Sequence, residues 1–383
     1  MDASLKDRAA ATAGTQAKIK SIEAIAVKLP MAKPMKMAGV LIASADNVLV
    51  RIETDEGHVG WGEAASAPQM TGETMEGMTV AVRLMASAVI GCPLSAVAEA
   101  GTRLDAAMYG NNAAKAAIEM AWHDALGKAL NKPVYELLGA LKRNRVPTLW
   151  LIGTGSAQGD VDEAKAKAAA GYVAFKIKVG VDTPAADAER SRRICAALGS
   201  GLLISADANQ GFSVEGALEY VKAVADTQLD FLEQPVRGSD LDGMAKIAAA
   251  SRLPIGFDEG VHSIADIARH HERKAARGGS LKAIKLGGLK AVHAAAVLCE
   301  SLGMKVNLAC KVAESSIGTA AVLHLAAAIP SCTWGVSLSS QYLSDDVVRT
   351  PFSYADGHAT VPTGPGLGIE VDEARVRRYA QPI

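Results

Sequence analysis

The stretch FKIKVG at 175–180 decides how the rest of the chain is read. Phe175, Ile177 and Val179 alternate with Lys176 and Lys178, the period of two that marks a half-buried strand. Alternation puts both lysines on one face, about 7 Å apart at the rise of a strand. The helix-like VDEAKAKAAA precedes it and a charged, alanine-rich run follows. Working outward, the same unit recurs. Strand-like runs stand at TLWLIG, VAFKIKV, LLISADA, DFLEQP, PIGFDEG, LKAIKLG, MKVNLA and TWGVSL, and alanine-rich helical runs separate the first seven from one another. Eight strands alternating with helices is the rhythm of a (β/α)8 barrel; an open doubly wound sheet also alternates, but eight regular units favour closure.

The region before the barrel reads differently. IKSIEAIAVKLP and NVLVRIET are β-rich, DEGHVGWGEA adds a turn and a short third strand, and helices follow from about Met75 to Leu138. Within NNAAKAAIEMAWHDALGKAL, residues Ala117, Met120, Ala121 and Leu126 share a face. From about Leu343 the chain is irregular and rich in Pro and Gly, and it is expected to pack back on this first unit.

A barrel of this kind places its chemistry at the C-terminal ends of its strands. The second strand ends in Lys176 and Lys178, the third in Asp207 and Asn209, the fourth in Glu233, the fifth in Asp258 and Glu259, and the sixth in Lys285. Asp207, Glu233 and Asp258 are spaced by one βα unit each, so three carboxylates end three consecutive strands. Carboxylates converging on a dry site repel unless a cation lies among them, and an all-oxygen donor set suits Mg2+ rather than Zn2+. Singly, these residues have plainer explanations. A KxK at a strand end is usually solvated, and an acid after a strand is often a helix N-cap. Capping, however, does not require five successive strands to end in charge.

Composition excludes several classes. Apolar residues make up 49% and charged residues 21%, enough for a sizeable core, while aromatics at 4% leave that core to Ala, Leu, Val and Ile. A net charge of −1 predicts no attraction to nucleic acid or an anionic membrane. Cys92, Cys195, Cys299, Cys310 and Cys332 form no CxxC pair, and buried free thiols of a reducing compartment are expected. MDASLKDRAAATAGTQ has no apolar core of a secretory signal, and no apolar run reaches the ~18 residues of a membrane span, so a cytoplasmic protein with a flexible segment 1–17 is expected.

These residues resemble the enolase superfamily, in particular its muconate lactonizing enzyme subgroup. The resemblance rests on KIK at 176–178, DAN at 207–209, EQP at 233–235, DE at 258–259 and AIKLGG at 283–288. TDEGHVGWGEA and MAWHDALGKALNKPVYELLG support it in the first unit, and ESSIGTAAVLHLAAAIP at 314–330 is similar to the family's eighth-strand region. It covers nearly the whole chain from about Ile19. It implies an α/β fold: a modified TIM (β/α)7β barrel at 143–342 under an α+β capping domain built from 18–142 and the returning tail 343–383. It also implies Mg2+ (or Mn2+) on Asp207, Glu233 and Asp258, with Lys178 and Lys285 as the acid/base pair. Lys176 would tune Lys178, Asn209 and Glu259 would support the ligands, and the loop at 33–40 would close over a small-molecule carboxylate. A homo-oligomer is expected. One departure concerns KLGG, where a single residue stands between Lys285 and the Gly pair although the family has several. Lys282 is therefore a rival, but strand parity and position favour Lys285.

The chemistry the resemblance implies is removal of a proton α to a carboxylate, with a metal stabilising the enediolate. Known sites of the enolase type combine a Lys or His base with Mg2+ for this purpose. A lysine base must be neutral when it acts, and an adjacent ammonium such as Lys176 disfavours the charged form. Lysines on both faces suit racemisation or epimerisation, and equally cycloisomerisation or β-elimination. Trp150 could line the pocket, and Glu314 could bind an ammonium group, which favours a racemase or epimerase acting on an amino-acid derivative. The alternatives are a muconate-type cycloisomerase, a hydroxyproline-type or acid-sugar dehydratase (disfavoured because KVNLACKVAES carries no histidine), and a metal-binding barrel without catalysis. His123 is expected to pack or cap rather than ligate.

Overall fold

Alternating β-branched residues at the start of the chain form an antiparallel meander. In the computed structural model, which describes residues 15–37, 40–153 and 156–383, strands β1 (Ile19–Met37), β2 (Val40–Thr54) and β3 (Val59–Ala65) pair in that order. The β1–β2 hairpin reaches well beyond the expected IKSIEAIAVKLP, and its tip falls in the 33–40 loop, of which residues 38 and 39 lie outside the described part. The expected flexible segment 1–17 lies largely outside it as well, but Ala17 is fully buried and its carbonyl accepts from the Leu94 amide at 2.8 Å.

The 18-residue helix Asn112–Ala129 is buried almost all round, because it is clamped between this meander and the barrel. That explains its low amphipathicity. An Ala-rich sequence lets both neighbours approach closely without a polar face being needed. His123 packs inside it and its Nδ1 lies 3.0 Å from the Glu119 carbonyl.

After the short β4 (Arg145–Pro147), eight parallel strands follow: β5 (Leu149–Ile152), β6 (Ala174–Lys178), β7 (Leu203–Asp207), β8 (Phe231–Glu233), β9 (Ile255–Phe257), β10 (Gly278–Leu281), β11 (Lys305–Ala309) and β12 (Val336–Ser337). They lie in sequence order in one sheet, and a parallel bridge from Thr148 to Val336 joins its two edges. A helical connection links each successive pair, giving a (β/α)7β barrel. The tail returns as expected. Its strand β13 (His358–Thr360) pairs with β4, and the Gln381 amide donates to the Ala26 carbonyl on β1 at 2.8 Å. One apolar core runs through both units, joining Leu29, Leu49 and Trp61 to Leu281, Leu308 and Ile317. No helix among the described residues is long and apolar enough to cross a membrane.

Two expectations are corrected. The sixth strand is GGSL at 278–281, and AIKL at 283–286 is a short helix. Two glycines read as a turn signal, but here they allow close strand packing. A Cβ on Gly278 would lie 2.1 Å from the Lys305 carbonyl oxygen, and one on Gly279 would lie 2.2 Å from the Phe257 ring. The segment from 314 is the loop and helix (Ser316–Ala328) after the seventh strand, and the eighth strand is Val336–Ser337.

Candidate active site

β6, β7 and β8 end in register. Lys178 lies beside Asp207 and Asp207 beside Glu233, so their side chains emerge side by side at one rim. Asp258 follows the last residue of β9, and Lys282 follows the last residue of β10. The rim therefore reads lysine, three carboxylates, lysine across five adjacent strands. In a closed eight-stranded barrel β6 and β10 are diametrically opposed, so Lys178 and Lys282 face each other with the carboxylates between them.

Each carboxylate is turned to a lysine. Lys178 Nζ donates to Asp207 Oδ2 at 2.7 Å and to Asn209 Oδ1 at 2.8 Å. Lys176 Nζ donates to Glu233 Oε2 at 2.5 Å, and the Ser280 hydroxyl lies 2.8 Å from Glu233 Oε1. Lys282 Nζ binds Asp258 Oδ2, while Lys285 Nζ binds Asp258 Oδ1 at 2.7 Å and the Ser280 carbonyl at 3.0 Å. The Gln234 side-chain oxygen accepts from the Asp258 amide at 2.8 Å and from the Gly260 amide at 3.1 Å, which fixes the turn after β9.

Burial alone would push every carboxyl upward. At Asp207 the lysines at 178 and 176 outweigh it, at Asp258 those at 282 and 285 do, and both carboxyls lie below the usual range. At Glu233 burial prevails, assisted by Asp207 and Asp258, and the group is raised in spite of Lys176. Burial pulls the ammonium of Lys282 down, but Asp258, Glu233 and Glu259 hold it above the ordinary lysine range. Lys176 is likewise raised by Glu233 and Asp207 against burial. Lys176, expected as the ammonium that tunes Lys178, is ion-paired to Glu233. Glu259, buried beside Asp258 and Asp207, is pushed up to about 7; one oxygen accepts from Asn209 Nδ2 at 3.1 Å and the other has no partner.

A cavity of about 740 Å3 opens over this rim, under the hairpin, and Ile42, Met70, Lys178, Asp207, Glu233 and Lys282 are among its walls. Lys285 is not. It is fully buried on the short helix, behind Asp258, so Lys282 is the sixth-strand lysine that reaches the cavity. With Lys282 in that position four residues precede Gly287, and the departure noted in KLGG disappears. Glu314 does not line the cavity either. It is buried behind Cys310 near Gly318 and Glu63, and burial with Glu63 pushes it up to about 8. Trp150 packs edge-on to Tyr172 with Lys167 3.5 Å over its ring, and lines a side cavity of about 40 Å3 that it shares with Lys178. Sequence reasoning passed over Gln234, Ser280 and Lys311. Lys311 follows the seventh strand by two residues and lines the cavity, the same signal that marked the other strands.

As the side chains stand, no three carboxylate, imidazole or thiol groups among the described residues converge on one ion position. The donor set nevertheless fits a hard divalent cation. Asp207, Glu233 and Asp258 supply only oxygen, lie on neighbouring strands, and are close enough that Asp207 and Asp258 both act on Glu233. Turning the lysines aside would free those oxygens.

Comparison with known proteins fits this geometry. Residues 21–139 match the mandelate racemase / muconate lactonizing enzyme N-terminal domain, and residues 160–375 match the enolase C-terminal domain-like family. A chloromuconate cycloisomerase of Cupriavidus pinatubonensis is 34% identical over 360 residues, covering 93% of this chain and 96% of the relative. The muconate lactonizing enzyme of Pseudomonas fluorescens, solved with muconolactone, superposes with a TM-score of 0.91 at 30% identity, covering 96% of this chain and 100% of that one. A dipeptide epimerase of Enterococcus faecalis, solved with Mg and the dipeptide L-Leu-L-Tyr, gives 0.87 at 31% identity over 92% of this chain and 99% of that one. The chain belongs to the enolase superfamily, in its muconate lactonizing enzyme subgroup. It is an isomerase of that superfamily.

Proposed function

We propose that the protein transfers a proton at the carbon α to a substrate carboxylate, and that it does so as a cycloisomerase of an unsaturated acid. The opposition of Lys178 and Lys282 across three carboxylates carries the proton transfer, and the likeness to a chloromuconate cycloisomerase and a muconate lactonizing enzyme supports the cycloisomerase reading. Asp207, Glu233 and Asp258 would hold Mg2+, which would draw charge from the substrate carboxylate and so make its α-hydrogen acidic. Lys178 stands at one face of the cavity and Lys282 at the other, so each can take or return a proton at the same carbon. In the ring-opening direction one lysine removes the α-hydrogen as the ring oxygen leaves the β-carbon. In ring closure the carboxylate oxygen adds to that carbon and the lysine returns the proton to the α-carbon. Asn209 orients Lys178 through its side-chain oxygen. Met70 and Ile42 give the cavity part of its apolar wall.

The amino-acid substrate expected from Glu314 loses its basis, because that carboxyl is turned away and Lys311 faces the cavity instead. Epimerisation of an acylated amino acid stays as a second reading, favoured by the placement of a lysine on each face. The test is α-hydrogen exchange in D2O with Mg2+, followed by NMR over muconate-type acids, their lactones and N-acyl amino acids. Lys178→Ala is expected to lower exchange by about 10²–10⁴-fold. Exchange at the wild-type rate in that variant would overturn the assignment.

A further inference from the structure

Gln234 holds together the three turns from which the rim carboxylates project. It follows Glu233 directly, is fully buried, and does not line the cavity. Its backbone carbonyl accepts from the Gln210 amide at 2.8 Å, in the turn after β7, where the Asn209 amide also donates to Asp207 Oδ1 at 3.0 Å. Its side-chain oxygen accepts from the Asp258 and Gly260 amides in the turn after β9. Its Nε2 donates to the Val236 carbonyl at 2.9 Å. Asp207, Glu233 and Asp258 are thereby tied through one residue.

The backbone at Gln234 has a φ of +34°, and Asn209 and Gln210 stand at +41° and +69°. Glycine adopts that left-handed region freely, whereas a residue with a Cβ is strained in it. Such strain persists only where the surroundings hold it, and it gathers at functional sites. A glycine at 234 would relieve it, but would leave the Asp258 and Gly260 amides without the acceptor that spans from β8 to β9. The position therefore calls for a side chain with a carbonyl oxygen at this reach.

We infer that Gln234 is a positioning residue that sets the spacing of Asp207, Glu233 and Asp258, and through it the affinity of the rim for Mg2+ and its preference over larger divalent cations. The inference rests on the proposed reading of these carboxylates as cation ligands. Groups that hold metal ligands in place typically account for about 10–100-fold in affinity. Mg2+ demands near-octahedral ligation, while Ca2+ accepts longer and less regular contacts, so a loosened rim loses Mg2+ first.

The test measures Mg2+ and Ca2+ binding to the full chain by calorimetry. In Gln234→Met, which keeps the length but no strong acceptor, Mg2+ affinity is expected to fall by about tenfold or more and Ca2+ affinity by less than about threefold. Gln234→Glu keeps oxygen acceptors for both amides. Its added charge acts on both divalent ions alike, so the ratio of the two affinities should stay near that of the wild type. Thermal unfolding without metal shows which variants are folded. Gln234→Asn, polar but too short to reach both amides, is expected to shift the ratio as Gln234→Met does. Wild-type Mg2+ affinity in Gln234→Met would overturn the inference, and so would equal loss of both ions or a ratio shifted as far in Gln234→Glu. Failure of the ligand reading is separate: it would appear as a wild-type Mg2+ affinity that Asp207→Asn and Asp258→Asn leave unchanged.

Discussion

Lys282 and Lys285 bind the two oxygens of one carboxylate, yet the structure gives them different work. Lys282 reaches the cavity, whereas Lys285 is sealed behind Asp258 and spends its donors on that residue and the Ser280 carbonyl. Lys282→Ala should abolish α-hydrogen exchange and cost less stability than loss of Lys285, because Asp258 keeps the Lys285 ammonium as its counter-charge. Lys285→Ala should instead destabilise the protein by about 3 kcal/mol, since it leaves buried acceptors without their ammonium. Urea unfolding alongside the exchange assay separates the two. Equal loss of exchange with no loss of stability in Lys285→Ala would restore it as the base.

At the scale of elements, carboxylates of the N-terminal unit cap helices of the barrel. Glu119 accepts from the Leu289 and Lys290 amides at 2.8 and 3.1 Å, at the start of the helix Leu289–Ser301 that follows Lys282. Glu63 on β3 accepts from Asn47 Nδ2 at 2.7 Å, from the Ser315 amide and hydroxyl, and from the Gly318 amide at 2.8 Å, at the start of the helix that follows Lys311. The two loops bearing cavity lysines are therefore held by the other unit. Burial outweighs these donors and pushes Glu63 up to about 7 from 4.5. Its native state then binds a proton more tightly than the unfolded chain does. The stability it contributes is full below about pH 4.5 and is lost as pH rises through about 7. Glu63→Gln should flatten that slope and cost about 1–3 kcal/mol at pH 5, because an amide offers fewer acceptor sites. Denaturant melts from pH 5 to 8 check both effects; a slope as steep in the variant would assign it to other groups.

Across the whole molecule the shared core ties the meander to the barrel, so the two should unfold together. Calorimetry is expected to give one transition. An ion bound only by the folded form should move that transition upward, by about 2.7 kcal/mol of stability at a hundredfold excess over its dissociation constant. Chelation with EDTA should reverse the shift and stop α-hydrogen exchange. Two transitions would mean that the units fold independently, and an unmoved midpoint would count against Mg2+ at the rim.

Much of this was legible in the chain itself. The repeat of apolar strands and alanine-rich helices determined the barrel, because burial on both faces demands that pattern. The strand-terminal positions of Lys178, Asp207, Glu233 and Asp258 followed from it, since a side chain at the end of a barrel strand has one rim to occupy. Where regular periodicity stopped, the sequence stopped deciding. Gly278 and Gly279 look like a turn until the backbone of β11 and the ring of Phe257 are seen to exclude any Cβ. The choice between Lys282 and Lys285 hung on that strand's end. Whether Glu314 or Lys311 faces the cavity was likewise settled only in three dimensions, by a loop whose direction is fixed through the helix that Glu63 caps. Local pattern placed residues on strands; long-range packing decided which way the residues beyond the strands point.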